Sequence, residues 1–81
     1  MPDDRLYWLT NLLLAKELAR VNGLKQSAAV KRCAKRMRDG TKSQSLYQLS
    51  KFILKAHDHK ILSMVDNLLD DLKQEGVIHV G

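Results

Sequence analysis

Between positions 25 and 38 stand Lys25, Lys31, Arg32, Lys35, Arg36 and Arg38, with no Asp or Glu among them. Side chains of this kind hold anions: an ammonium meets a phosphate or carboxylate as a point charge, and a guanidinium can grip it with two parallel N–H donors. If the segment is helical, Val30, Cys33, Ala34 and Met37 fall within an arc of about 100°. Arg38, Lys31, Lys35, Arg32 and Arg36 then share the other side, across about 160°. Like charges meet at Lys31/Lys35 and at Arg32/Arg36, which costs a few tenths of a kcal/mol per pair. Solvent-facing helix surfaces ordinarily mix signs. A face that repels itself is explained if an anion lies on it.

The other reactive side chains are sparse. His57-Asp58-His59 places two imidazoles at i, i+2, on different sides of a helix, with no Cys or carboxylate cluster to complete a tetrahedral set. It reads as an exposed helix joint in which Asp58 caps the next helix. Cys33 lies on the apolar side of its helix beside Val30 and Met37, the setting of a buried, inert thiol. No glycine loop suited to phosphates and no nucleophile–base pair stands out. The expectation is a non-enzyme with no catalytic residues, metal or cofactor.

Eighty-one residues allow one domain, and 44% apolar with 28% charged residues suits a folded chain. The net charge of +5 is unevenly spread: residues 1–40 hold nine Lys/Arg and four Asp/Glu, residues 41–81 five of each. Such concentration favours polyanions. A single Cys permits no internal disulfide, and a reducing compartment is expected. The longest apolar run, Leu12-Leu13-Leu14-Ala15, is far short of a membrane span, and Met1-Pro2-Asp3-Asp4 does not begin like a signal peptide. A cytoplasmic protein without membrane contact is the expectation.

The elements that would position the basic face read as an all-α fold, a four-helix small domain with a short C-terminal β-strand, spanning 1–81. The first helix starts after Asp3 or Asp4, either of which can cap it. Leu6, Leu9, Leu13 and Lys16 form one ridge and Tyr7, Leu14, Leu18 and Val21 the next. With Trp8 and Leu12 the apolar arc is wide enough to predict the central core helix. Asn22-Gly23 ends it. The second helix runs from about Gln26 to Arg38. Ser45 followed by Gln48 has capping-box spacing and opens a third. A fourth, over 59–75, turns Ile61, Val65, Leu68 and Leu72 to one side, and it could be continuous with the third. Val77-Ile78-His79-Val80 has the β-branched content of a strand. Trp8, Tyr7, Tyr47 and Phe52 read as packing residues, so no aromatic interleaves the basic face.

A helix ending Leu18-Ala19-Arg20-Val21, a tight turn at Asn22-Gly23-Leu24 and a new helix near Gln26 resemble the helix-turn-helix of phage Cro and repressor proteins, over residues 15–38. The matching residues are Ala19, Gly23, Leu24, Gln26-Ser27-Ala28 and Val30, with a turn one residue longer than the family's. The resemblance implies a DNA-binding domain whose second helix enters the major groove. Gln26, Ser27 and Ala28 would enter first, with Lys31 and Arg32 one turn later. Gln suits adenine, Arg suits guanine, and Ala28 suits a thymine methyl. Lys35, Arg36 and Arg38 would hold phosphates, and Lys25 belongs to the same DNA-binding set. The expected partner is double-stranded DNA, for a small transcriptional regulator or accessory factor. Double-stranded RNA stays open, as does a helical interaction module that docks its basic face on an acidic protein.

The neutral half, 46–80, is the expected contact of a homodimer. Helix 59–75 is broadly apolar, a lone strand needs a partner, and a domain this small gains from further burial.

Overall fold

The computed structural model describes residues 4–74, and among these the side chains of all but residues 69, 72 and 73. Four helices follow one another: α1 Arg5–Val21, α2 Gln26–Gly40, α3 Gln44–Lys55 and α4 Asp58–Gln74. The all-α expectation holds. The strand expected at 77–80 lies outside the described residues. None of the described helices is long and apolar enough to cross a membrane.

The central helix is α2, not α1. It packs against α1, α3 and α4, and its apolar stripe Val30, Cys33, Ala34 and Met37 is fully buried. Around that stripe close Leu9 and Leu12 from α1, Leu46 and Ile53 from α3, and Ile61 and Val65 from α4. The broad apolar arc of α1 has a different meaning from the one expected. Its apolar residues form two opposite faces: Leu12 is 1% exposed, whereas Leu14 and Leu18 are each 53% exposed. Only the first face enters the core. Of the wide apolar arc of α4, Ile61 and Val65 are in the core and Leu62, Met64 and Leu68 pack against it.

Local chemistry explains the helix ends. Gly23 has φ of +69°, the left-handed conformation in which a Cβ is strained. Leu24 N–H donates to the Ala19 carbonyl at 2.8 Å and Gly23 N–H to that of Arg20 at 3.3 Å, the Schellman pattern that closes a helix C-terminus. Asp4 occupies the N-cap position of α1 but makes no side-chain capping bond. Its carboxylate accepts instead from Thr41 Oγ1 at 3.0 Å and Lys42 N–H at 2.8 Å. The cap of α3 is Ser43, whose Oγ accepts from Leu46 N–H at 3.4 Å, two residues before the expected Ser45. Helices α3 and α4 are separate: Ala56 is extended, and α4 opens with Asp58 in its first turn rather than as its cap.

Candidate nucleic-acid interface

The α1–α2 connection sets the geometry of the basic helix. At its near end Gln26 Nε2 donates to the Lys16 carbonyl at 3.2 Å. At its far end Asp4 holds Thr41 and Lys42, and Gly40 lies against the Trp8 ring. The two helices therefore run in antiparallel sense and meet near both ends of α2. In a helix-turn-helix of the Cro type the pair crosses at about 90–120°.

This arrangement divides the candidate residues into two groups. The first turn of α2 is occupied from within. Lys25 Nζ lies 2.6 Å from Asp58 Oδ2 and Lys31 Nζ 3.9 Å from Asp58 Oδ1. The hydrogen bond from Lys25 holds the Asp58 carboxyl below the ordinary carboxylate range, helped by the charges of Lys25 and Lys31 and by the Ser27 hydroxyl, against partial desolvation. Ser27 is buried, Ala28 half-buried, and Gln26 committed to α1. Gln26 and Ser27, expected to lead into a groove, are thus already engaged by packing and internal hydrogen bonds. The second group is open: Arg32, Lys35 and Arg36 are exposed. Arg38 is half-buried, with Nε donating to Asp39 Oδ1 at 3.1 Å. Cys33 is buried, and burial pushes its thiol pKa up despite the nearby Arg36.

Two grooves flank the open strip. On the α1 side, a shallow groove of about 190 Å³ is lined by Leu18, Leu24, Ala29, Arg32 and Arg36, among others. On the α3 side, a depression of about 370 Å³ is lined by Arg38, Tyr47, Lys51, Leu54 and Lys55. Lys51 Nζ stands 5.4 Å from the centre of the Tyr47 ring, within cation–π range. Phe52 is 67% exposed and borders a hollow with Gln48, Lys51 and Lys55. Aromatics therefore do interleave the basic surface, and of the four expected in the core only Trp8 packs against it.

Lys51 and Lys55 are the residues that the charge run did not disclose. Their signal was the absence of any acid over 44–55 combined with the i, i+4 spacing of Tyr47, Lys51 and Lys55. From 26 to 57 the chain holds eight Lys/Arg against Asp39 alone. Packing α3 against α2 brings Lys51 and Lys55 beside Arg38. Among the described residues no group of three or more His, Cys, Asp or Glu is placed to hold a metal ion.

No curated protein and no solved structure matches the chain. One family model does, over residues 8–70. The match runs from the Trp8 contact with Gly40 into the last turns of α4 and takes in all of α2 and α3. The chain accordingly belongs to the family described as a domain of unknown function, DUF7740.

Proposed function

We propose that this domain binds double-stranded DNA through its phosphate backbone, as a small regulator or accessory factor. The observation that carries the reading is the concentration of cations on two neighbouring helices: Arg32, Lys35 and Arg36 are exposed on α2, Arg38, Lys51 and Lys55 line one depression between α2 and α3, and Asp39 is the one acid on either helix. The residues that carry the Cro-type likeness in the first turn of α2, Gln26-Ser27-Ala28, are not the ones this reading uses. Lys25, Gln26 and Ser27 have partners already, so the contacts belong one to three turns further along α2 and on α3. Cations held on helices at fixed spacing release condensed counterions when they meet phosphates. Arg32 is the residue best able to add a base contact, since its guanidinium is exposed at the middle of α2 and suits guanine.

The reading is tested by titrating a labelled random duplex at several salt concentrations. Binding in the micromolar range at ~50 mM salt is expected, with log affinity falling linearly in log salt and a slope of about −4.5 if about five cations each neutralise a phosphate. No binding of duplex at that salt overturns the proposal and favours an acidic protein partner. A second reading has one observation in its favour: exposed Phe52 and Tyr47 beside Lys51 and Lys55 make a surface on which unpaired bases could stack. A single strand that binds more tightly than duplex selects it.

A further inference from the structure

The outer face of α1 is apolar and has no partner within the described chain. Tyr7, Leu14, Leu18 and Val21 are 62, 53, 53 and 68% exposed, and Leu24 just beyond the helix is 59% exposed. None of them packs against the core. They occupy the side of α1 opposite Leu9, Leu12 and Ala19, which are buried. Monomers rarely leave an apolar patch of this extent to water.

The spacing along this face is specific. Tyr7, Asn11, Leu14, Leu18 and Val21 follow one another by four, three, four and three residues. That is the alternation of a and d positions by which one helix lies along another. Asn11 is the single polar member, and one Asn in such a seam fixes register and the number of strands.

We propose that the α1 seam is a homodimer contact and that its occupant is the same seam of a second copy. Three observations select a second copy. The heptad alternation is self-complementary, so each side supplies both the knobs and the holes. The flanking positions Thr10, Ala15 and Glu17 of α1 carry no cation, and Arg32 and Arg36 border only the Leu18–Leu24 end of the seam, so most of the face can meet its own copy without repulsion and no charged partner is required. The area suits a weak, concentration-dependent dimer: residues exposed to 53–68% at five positions offer on the order of 500 Å² per protomer, so pairing removes at most about 1,000 Å², the low end of specific interfaces. This relocates self-association from the 46–80 half, whose described apolar residues in α4 face their own core. It does not depend on DNA binding.

The test is sedimentation equilibrium of the full chain, free of nucleic acid, from about one to about a hundred micromolar. The mass should climb towards twice 9.2 kDa. Leu14→Glu should hold it at the monomer value with unchanged helicity by circular dichroism. Phe52→Glu, an equally exposed apolar site away from the seam, should dimerise like the parent. If Leu14→Glu loses helicity, Leu18→Gln supplies the same reading at a second seam position. A monomer mass at every concentration overturns the proposal. So does a folded seam variant that dimerises as the parent does, or a dimer lost with Phe52→Glu. Because nucleic acid is absent, these results leave the duplex titration to decide the DNA proposal separately.

Discussion

Asp58, at the start of α4, accepts the ammonium of Lys25 at 2.6 Å, so the residue that precedes α2 is tied to a different helix. The pair is exposed, so its contribution to stability is small and its larger effect is on charge placement. Asp58→Asn should release both Lys25 and Lys31 and remove a negative charge from the edge of the basic surface. Duplex affinity at low salt should then rise by roughly two- to fivefold, with the gain disappearing at high salt. An unchanged or lowered affinity would place Lys25 and Lys31 outside the contact.

Acid should reveal two carboxylates. Asp4, through the Lys42 N–H and the hydroxyl of Thr41, and Asp58, through Lys25, both lie below their ordinary value of 3.8 in the folded chain. A depressed folded pKa contributes stability above the unfolded value and loses it as pH falls through the folded one. Thermal melts should therefore be flat near neutrality and fall below about pH 4. Asp4→Asn and Asp58→Asn should each make that fall shallower. A variant with the parent's acid limb would remove its carboxylate from the account.

Single cation deletions should separate the two halves of α2. Arg32→Ala, Lys35→Ala, Arg36→Ala and Lys51→Ala should each weaken binding to all duplexes and reduce the salt slope by ~1. Gln26→Ala should leave affinity and slope unchanged. Arg32→Ala should in addition cost ~1–3 kcal/mol on a preferred sequence if it reads a base. Equal behaviour of Gln26→Ala and Arg36→Ala would sink the assignment of the contacts to the open strip.

Two glycines should fail for different reasons. At Gly23 no atom lies within 4 Å of an added Cβ, so Gly23→Ala should cost about 1–2 kcal/mol purely through left-handed strain. For a domain of this size that lowers Tm by roughly 4–8 °C per kcal/mol. Gly23→Asn should cost less, because Asn tolerates that conformation.

Gly40 has no such strain, but an added Cβ would come within 2.9 Å of Trp8 Cζ2. Overpacking of this kind costs ~1–3 kcal/mol, against at most ~1 kcal/mol gained in helix propensity. Gly40→Ala should therefore destabilise and shift the emission of Trp8, the chain's one tryptophan. An unaltered spectrum with raised stability would show that the indole relaxes freely.

Much of the architecture was legible because it rests on local rules. The stripe Val30, Cys33, Ala34 and Met37 is buried as its spacing requires, and Asn22-Gly23 ends α1 through a motif contained in the six residues from Ala19 to Leu24. What was not legible depends on which faces meet. The arc of α1 could be read as one broad buried surface or as two opposite ones, and nothing local distinguishes them. The Asp4 carboxylate forgoes its own helix because Thr41 and Lys42 arrive beside it, an event that lies 37 positions away in sequence. Ser27 is free for base contact as far as its own helix is concerned, but α4 brings Asp58 over it. Lys51 and Lys55 joined the basic surface only because α3 packs against α2, which no charge count along the chain reveals.

The antiparallel α1–α2 pair is closed at both ends, by the Gly23 turn at one and by Asp4 on Thr41 and Lys42 at the other. In the language of amide exchange this makes the pair a cooperative opening unit, whose interior hydrogen bonds are released together or not at all. Its inner strand of protection is α2, shielded on three sides. By contrast α4 touches α2 and, more lightly, α1, with Lys16 to Asp66 as its described ion pair to α1. Deuterium should thus enter α4 through partial openings while α2 waits for global unfolding. The cationic surface is consequently mounted on the slowest-exchanging part of the molecule, so a ligand meeting Arg32, Lys35 and Arg36 encounters a preset array and adds little further protection beneath it.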